Sequence, residues 1–188
     1  YKFSPLQTNF GINMVGLHEG RPGILDLKKC ISAFISFREV VVTRRTRHLL
    51  EKARERAQTL VGLAIAVSNI DEVVQLIRSS PDASQAREKL MKRAWDAKKV
   101  EDLLALIDDP TYKINTDDGT YKLNESQARG ILELRLQRLT ALEQDKIAEE
   151  LEGLSNKIKG HLDLLSSREL LNSLIKSELA EAKKSFGV

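Results

Sequence analysis

The sequence is short of cysteine, proline and aromatic residues, and each shortage excludes a class of protein. Cys30 is the single cysteine among 188 residues, so no internal disulfide can form and a disulfide-stapled secreted domain is excluded. Only four prolines interrupt the chain, which leaves long stretches free of helix breakers. Aromatic residues make up 5% and charged residues 30% of the sequence. That balance favours long, well-solvated helices over a thick hydrophobic core.

Long apolar runs are also missing. The longest apolar-rich segment, residues 60–67, is far shorter than the roughly 20 residues of a transmembrane helix. The first residues show no basic segment leading into an apolar one, as a secretory signal would. We therefore expect a soluble protein of the cytoplasm that has no membrane partner. Because the chain does not begin with methionine, we also expect it to be a fragment of a longer protein.

Positive charge is concentrated in the first third of the chain. Residues 1–60 hold eleven Lys and Arg against five Asp and Glu, whereas residues 61–188 hold nineteen against twenty-two. Basic helices bind phosphate backbones without sequence preference. Acidic residues interleaved at helical spacing equally support a solvated face with ion pairs between successive turns. Both interpretations stay open, and the candidate DNA backbone contacts are Arg38, Arg44, Arg45 and Arg47.

Two apolar stripes dominate the pattern. In each stripe, apolar residues recur at steps of three and four, which is typical of the seam of a coiled coil. A seam this narrow needs a partner helix, and each stripe is the nearest partner for the other. We therefore predict an antiparallel two-helix arm. Its seam residues are Leu49, Ala53, Ala57, Leu60, Leu63 and Val67 in the outgoing helix and Ile147, Leu151, Leu154, Ile158, Leu162 and Leu165 in the returning helix.

The predicted fold is mainly α, with a long antiparallel two-helix coiled-coil arm, a small helical globule at its tip and a short β-hairpin near the N-terminus. The outgoing helix meets no breaker between Arg38 and Ser68, so its thirty or so residues would extend roughly 45 Å. Few cores are that thick, so most of this helix must project. In the hairpin, a strand over residues 10–17 and a turn over 18–23 precede a return strand at 24–25. The predicted segments are residues 1–37 with the hairpin and a first helix over 27–37, residues 38–68 as the outgoing helix, residues 69–140 as the globule, residues 141–166 as the returning helix, and residues 167–188 as a final helix at the base of the arm.

Four residue pairs have the spacing of a capping box, in which a polar N-cap and a residue three positions later satisfy each other's backbone N–H groups. They divide the second part of the chain into helices at residues 70–79, 81–94, 100–107, 125–139, 141–165 and 167–186. Asp26 is a further candidate N-cap. The four pairs are Asn69 with Glu72, Asn124 with Gln127, Thr140 with Glu143, and Ser166 with Glu169.

No arrangement for catalysis or metal binding is visible. Residues 112–114 and 121–123 flank an acidic segment that is predicted to be an exposed hairpin or loop. A calcium loop is disfavoured, because the glycine is misplaced for one and no Glu closes it. The three histidines are too scattered to suggest a ligand set. No nucleophile, base and orienting group stand together. We therefore assign no catalytic residue, metal or cofactor to this chain. The histidines are His18, His48 and His161.

The segment 127–142 carries apolar residues over an arc of roughly 200°, wider than the stripe of about 100° that one packing surface requires. The excess must be covered, either by the other helices of the globule or by a second copy of the chain across a two-fold axis. The pattern alone leaves both open. In the second case the predicted dimer interface is Ala128, Ile131, Leu132, Leu134, Leu136 and Leu139.

The same segment carries a family resemblance. Residues 127–143, QARGILELRLQRLTALE, closely resemble the exit-gate segment of bacterial type IIA DNA topoisomerases. So do residues 38–46 (REVVVTRRT), 68–78 (SNIDEVVQLIR) and 6–14 (LQTNFGINM), in the same order along the chain. The strings Thr-Arg-Arg-Thr and Leu-Arg-Leu-Gln-Arg-Leu-Thr are more similar to the gyrase A subunits than to their topoisomerase IV counterparts. Residues 95–123 resemble the insert-bearing members of the family.

The resemblance implies that the chain covers the end of a tower domain (1–37), the coiled-coil arm and the exit gate of a DNA breakage-reunion subunit. In such proteins the nucleophilic tyrosine lies upstream, and none of Tyr1, Tyr112 and Tyr121 stands in a matching motif. The chain alone is therefore expected to be inactive.

The resemblance also implies partners and cofactors. The partners are a second copy at the exit gate, the gyrase B subunit in a complex of two A and two B subunits, and double-stranded DNA. The parent complex uses Mg²⁺ and ATP through its B subunit. The implied role is the exit of the transported duplex during ATP-dependent negative supercoiling. Two alternatives stay open: the corresponding subunit of topoisomerase IV, which decatenates DNA, and a non-enzymatic coiled-coil tether.

Overall fold

A computed structural model of the chain describes residues 3–9, 11–97, 100, 119–133 and 141–187. In these residues the fold is mainly helical with two small antiparallel sheets, which confirms the predicted class. The elements, in chain order, are β1 (Val15–His18), β2 (Arg21–Ile24), α1 (Leu27–Ser68), α2 (Ile70–Arg78), α3 (Ala83–Lys92), β3 (Ala94–Asp96), β4 (Thr120–Lys122), α4 (Glu125–Glu133), α5 (Ala141–Ser166) and α6 (Arg168–Phe186).

The chain divides into two compact units. Unit 1 comprises Tyr1–Arg44 and Glu169–Val188, and unit 2 comprises Arg45–Arg168. Helix α1 contributes residues to both units, since it runs without a break where the sequence suggested two consecutive helices. Chain positions far apart in sequence therefore come together in each unit.

In unit 1, strands β1 and β2 form the predicted N-terminal hairpin, with Val15 opposite Ile24. The sequence placed the first strand at residues 10–17, whereas the observed strand begins at Val15. The predicted turn over 18–23 is only two residues long. Glu19 and Gly20 both have positive φ, of 52° and 76°. A two-residue turn of this kind matches the twist of the flanking strands, and this explains why the strands extend further into the turn than predicted.

Unit 1 also contains the start of α1 and nearly the whole of α6. Asp26 caps α1 as predicted, because its Oδ1 accepts a hydrogen bond of 2.7 Å from the Lys29 backbone N–H. On α6, Leu171 and Ile175 pack against Val42 of α1 and are buried. These three side chains make up a small apolar cluster that attaches the last helix to the first part of α1.

In unit 2, residues 45–68 of α1 and the returning helix α5 pack against each other and run in opposite directions. We call this helix pair the arm. The Arg56 guanidinium bridges Glu150 through two hydrogen bonds of 2.8 and 3.0 Å. The buried apolar residues of the two helices belong to one core cluster, which includes Ala57 and Leu60 of α1 and Ile158 of α5. The antiparallel pairing of the two stripes is therefore observed.

The buried stripe of α1 departs from the predicted seam at its first position. Leu49 is 45% exposed, whereas Leu50 is 7% exposed and belongs to the core. From Thr46, buried at 3% exposure, the stripe continues through Leu50 in steps of four and three. That alternation is the regular coiled-coil spacing, which the sequence-based choice of Leu49 broke.

The remaining described part of unit 2, residues 69–133, forms a small subdomain of α2, α3, β3, β4 and α4, which we call the subdomain below. Trp95 and Tyr121 face each other across β3 and β4 and are almost completely buried. The Trp95 indole N–H donates to the Leu90 carbonyl over 2.9 Å. Arg93 stacks over the Trp95 ring at 5.0 Å and also pairs with Glu72 of α2. These contacts join α2, α3 and the sheet.

Strand β4 pairs with a segment that was not predicted to be a strand. The exposed hairpin or loop predicted over residues 112–123 stays a prediction, because residues 112–118 lie outside the described residues. The observed partner of β4 is β3, Ala94–Asp96, which the sequence analysis had placed at the end of a helix and beyond it. The helix α3 ends at Lys92 because the next residue, Arg93, adopts an extended conformation. The predicted helix over 100–107 lies outside the described residues except for Val100.

Two of the capping predictions change. Asn69 does occupy the N-cap position of α2, but its side chain makes no capping bond and donates instead to the carbonyl oxygens of Ile65 and Asp96. Ser166 lies inside α5, where its hydroxyl donates to the Asp163 carbonyl, and is not an N-cap. In both cases a carbonyl close in space competes successfully for the polar side chain.

The other capping positions are clear. Asn124 and Gln127 form a complete capping box: the Gln127 N–H donates to Asn124 Oδ1 over 2.7 Å, and the Asn124 N–H donates to Gln127 Oε1 over 3.0 Å. Asp82 caps α3 through the Gln85 N–H at 2.7 Å, which the sequence analysis missed. The fourth predicted cap, Thr140, lies outside the described residues.

Across the described part of the chain, no single helix is long and apolar enough to cross a membrane. Helices α1 and α2 satisfy the length and composition requirement only when taken together, and a bend of 90° separates them.

Candidate functional site

Helix α4 carries the described part of the surface predicted to pair with a second copy. Ala128 is fully buried and Ile131 is 5% exposed, and both belong to the core of the single chain. Leu132 is half-buried against the same core. The remaining predicted interface residues, Leu134, Leu136 and Leu139, lie outside the described residues. Within α4, the chain's own helices therefore cover part of the wide apolar arc, and Leu132 is the described member that reaches the surface.

A buried polar contact joins α4 to the arm. The Gln127 side chain is 1% exposed, and its Nε2 donates a hydrogen bond of 2.8 Å to the Gln58 carbonyl in α1. Its Oε1 accepts two hydrogen bonds from the subdomain, one from the Asn124 N–H and one from the Tyr121 hydroxyl at 3.2 Å. One side chain thus satisfies groups on both sides of the junction between the arm and the subdomain.

A glycine on α1 makes room for this contact. A Cβ added to Gly62 would lie 2.7 Å from both Cβ and Cγ of Gln127. Helical side chains lean toward the N-terminus, so a side chain at position 62 would cover the carbonyl one turn earlier, at Gln58. Gly62 leaves that carbonyl open to a second hydrogen bond. From the sequence, Gln127 was predicted only as a cap partner, and no role was predicted for Gly62.

One sequence signal could have revealed the junction. A glycine in the interior of a long helix costs about 1 kcal/mol relative to alanine, and its usual justification is close packing. Gly62 is such a residue, set among apolar neighbours at Leu60, Val61 and Leu63. What the sequence could not supply is the partner, because Gln127 lies 69 positions after Gln58.

A shallow groove with a charged rim lies between α3 and α4. Arg87 on α3 pairs with Glu125 at 3.0 Å, and Arg129 on α4 pairs with Glu133 at 3.0 Å. These pairs are exposed, so each contributes little to stability. The groove is lined by Ala83, Ser84, Arg87, Arg129, Leu132 and Glu133. A small apolar surface surrounded by exposed charges of both signs is the anatomy of a protein interface, with its apolar centre and polar rim.

The candidate DNA contacts occupy different environments. In unit 1, Arg38 is half-buried and its Nη2 pairs with Glu178 of α6 at 2.8 Å. This guanidinium therefore contacts the middle of α6 and is only partly exposed to solvent. Arg44, Arg45 and Arg47 are exposed on α1. A hydrogen bond from Arg56 to Glu150 raises the pKa of Arg56 in the arm, which keeps this guanidinium cationic at all physiological pH values.

The described residues contain no group of three or more metal-ligating side chains. Of the three tyrosines, Tyr121 is buried and its hydroxyl donates to Gln127, so it acts as a packing residue. Tyr1 and Tyr112 lie outside the described residues. His18 and His48 are exposed and His161 is half-buried, and they lie on three different elements.

Comparison with known proteins identifies relatives along nearly the whole chain. The sequence profile of the A subunit of DNA gyrase/topoisomerase IV matches residues 1–180. The chain is 46% identical over 186 residues to the DNA gyrase A subunit of Rickettsia bellii (strain RML369-C), covering 99% of the chain and 20% of that protein. It is 50% identical over 180 residues to the protein of the same name from Granulibacter bethesdensis, covering 96% of the chain and 19% of that protein.

A more distant relative shows the same extent. The protein of that name from Neisseria gonorrhoeae is 40% identical over 196 aligned positions, which cover 100% of the chain and 21% of that protein. The chain thus spans about a fifth of the length of the curated relatives it matches.

Proposed function

The chain belongs to the family of DNA gyrase/topoisomerase IV A subunits, and from this membership we propose that it forms the exit gate of a DNA gyrase. In this proposal two copies meet through the subdomain, and the transported duplex leaves when that contact opens. The arm connects this contact to the rest of the protein. The observation that carries the proposal is the antiparallel pair of α1 and α5 with α4 anchored on it, in a chain whose relatives are named as A subunits of DNA gyrase.

The proposed contact surface begins on α4 and continues along the chain. Leu132 would contribute together with Leu134, Leu136 and Leu139, while Ala128 and Ile131 support the surface from inside the core. Arg87, Arg129 and Glu133 would form the rim. A gate must hold against accidental opening and still separate in every cycle. A modest apolar patch with a charged rim suits this requirement, because interfaces of this kind are smaller and more polar than obligate ones.

The parent complex completes the activity. We propose that the reaction is ATP-dependent negative supercoiling by two A and two B subunits that act on double-stranded DNA, in the cytoplasm and on the chromosome. The B subunit would supply the sites for Mg²⁺ and ATP. The nucleophilic tyrosine would lie in another part of the A subunit, so this chain alone would be inactive. The exposed Arg44, Arg45 and Arg47 would contact the DNA backbone without sequence preference.

The dimer contact can be tested on the chain itself. Leu134→Asp should convert a dimer into monomers in sedimentation velocity, because a carboxylate in the apolar centre of an interface is left unpaired. Leu49→Asp is the matched control, since Leu49 is an exposed leucine on the arm and its replacement should leave the dimer intact. Circular dichroism verifies that both variants keep their helices. A fully dimeric Leu134→Asp variant, or a wild-type chain that stays monomeric at the highest attainable concentration, would contradict the proposed surface.

Topoisomerase IV is the second candidate, because one family profile covers both enzymes. Gyrase is favoured because the relatives from Rickettsia, Granulibacter and Neisseria carry that name. Assays on the full-length protein with its B subunit separate the two: net negative supercoiling supports gyrase, and decatenation without supercoiling supports topoisomerase IV. If neither activity is detected, and the gene encodes no tyrosine-bearing domain upstream of the arm, the function as a coiled-coil tether would be supported instead.

A further inference from the structure

We propose that Gln127 is a positioning residue that makes the arm and the subdomain move as one body. This inference rests on the exit-gate function proposed above. The buried side-chain amide of Gln127 joins the backbone of α1 to the cap of α4. A rotation of the arm would therefore move α4, and the contact surface that begins on it, by the same angle.

The contacts place Gln127 where α4 crosses α1. Its Nε2 reaches the Gln58 carbonyl at 2.8 Å, and its Cβ and Cγ lie over Gly62, one turn further along α1. A Cβ added to Gly130, one turn beyond Gln127 on α4, would lie 3.9 Å from Thr59 Cγ2. Both glycines lie at the crossing, so the two helices approach closely over residues 58–62. A close crossing transmits motion well because packed side chains have few alternative arrangements.

The orientation of the amide follows from its neighbours. The Asn124 backbone N–H can only donate, so the atom it meets must be the oxygen of Gln127, and the Tyr121 hydroxyl donates to the same oxygen. The nitrogen is thereby directed at the Gln58 carbonyl. The oxygen half of the amide thus belongs to the subdomain and the nitrogen half to the arm. This division allows the two halves to be tested separately.

The position of α4 determines the position of the proposed contact surface. Leu132 and Glu133 follow Gln127 on the same helix, less than two turns away. If the bond to Gln58 is lost, α4 keeps its cap and its apolar packing but loses the hydrogen bond that fixes its position on the α1 backbone. We expect the subdomain then to adopt several orientations relative to the arm.

Gln127→Glu isolates the arm half of the contact. A carboxylate still accepts hydrogen bonds from Asn124 and Tyr121, but it cannot donate to Gln58 and it repels that carbonyl. Tyr121→Phe is the matched control, because it removes a bond inside the subdomain and leaves the bond to Gln58 in place. If Gln127 only stabilises the chain, each variant should change the geometry between the arm and the subdomain in proportion to the melting temperature it loses. The positioning role predicts that only Gln127→Glu changes the geometry.

The geometry is measured on the chain with two spin labels, one replacing the exposed Lys52 on the arm and one replacing the exposed Ser84 on α3, in a Cys30→Ser background. Double electron–electron resonance measures the distance between the two labels. At neutral pH it should give one narrow distance distribution for the wild type and for Tyr121→Phe, and a broad one for Gln127→Glu. In acid the introduced carboxyl is protonated and can donate to the Gln58 carbonyl, so the distribution should narrow again. A narrow distribution for Gln127→Glu at neutral pH would overturn the inference.

The functional consequence is measured in the full-length protein with its B subunit. We expect Gln127→Glu to slow strand passage by on the order of fivefold while DNA cleavage stays at the wild-type level, because the coupling is mechanical. Tyr121→Phe should pass strands within about twofold of the wild-type rate. If the wild type passes strands and Gln127→Glu does so equally fast, the positioning role of Gln127 is refuted and the exit-gate proposal stands. A wild type without strand passage would refute the exit-gate function itself, whatever the labels report.

Discussion

Replacing Gly62 by alanine should destabilise the chain, although alanine is the better helix former. A Cβ at this position would lie 2.7 Å from Gln127 Cβ and Cγ and 3.3 Å from its Cδ. Carbon atoms in contact prefer about 3.5–4.0 Å, so α4 would have to withdraw by about 1 Å. The hydrogen bond to Gln58, 2.8 Å long, would then exceed bonding distance.

Three effects decide the magnitude. Overpacking costs roughly 1–3 kcal/mol. A buried amide and carbonyl left without each other cost about another 1–3 kcal/mol. The gain in helix propensity offsets about 1 kcal/mol of this loss. We therefore expect a net loss of roughly 1–5 kcal/mol, which corresponds to a melting temperature about 2–20 °C lower for a chain of this size.

Gly153→Ala is the matched control, because nothing lies within 4 Å of a Cβ added there on the exposed face of α5. The same substitution should therefore raise the stability by about 0.5–1 kcal/mol. Thermal unfolding followed by circular dichroism, supported by urea titration, measures both variants. If Gly62→Ala raised the melting temperature as Gly153→Ala does, the close approach of Gln127 to α1 would be refuted.

Two further predictions concern the arm and the helix caps. Arg56→Gln should cost at most about 1 kcal/mol, since the ion pair with Glu150 is half exposed. The pKa of Arg56 is raised above the usual value of a guanidinium, so the contribution of its ion pair to stability is lost only in strong alkali. Urea titrations at about pH 7 and pH 10 should therefore give the same difference in the free energy of unfolding between Arg56→Gln and wild type. A difference that vanishes at the higher pH would contradict this. Asp82→Ala should cost about 1 kcal/mol through the lost cap of α3, whereas Ser166→Ala should change stability by less than about 0.5 kcal/mol. Equal losses in these two variants would show that Ser166 acts as a cap after all.

Local patterns predicted the helices well. Asp26 was identified as a cap from its residue type and its place before a helix, and the Asn124–Gln127 pair from its spacing, and the structure confirms both. The two stripes on α1 and α5 were found from their periodicity. Such features depend on residues three or four positions apart, whose contacts exist as soon as the helix forms. They can therefore be inferred without knowing where the rest of the chain lies.

The sequence-based predictions were wrong where a residue or strand could contact several different partners. Asn69 was expected to cap α2, but the carbonyl of Asp96, 27 positions later, is one of the two that accept its side-chain amide. Leu49 and Leu50 both fit a helical stripe, and only the packing of α5 on α1 selects Leu50. Strand β4 was identified near Tyr121, but its partner was not, since strand pairing is a choice among distant segments.

Most of the helices, their antiparallel pairing in an arm and the family of the chain follow from the amino-acid sequence alone, because periodicity, caps and family-specific strings are carried by neighbouring residues. Which buried groups meet is known only from the three-dimensional packing. Trp95 reaches Tyr121 across β3 and β4, and Gln127 reaches Gln58 over the open backbone at Gly62. These contacts join positions far apart in sequence, and their geometry depends on how closely two helix backbones approach. That distance is determined by packing and is not encoded in any local pattern.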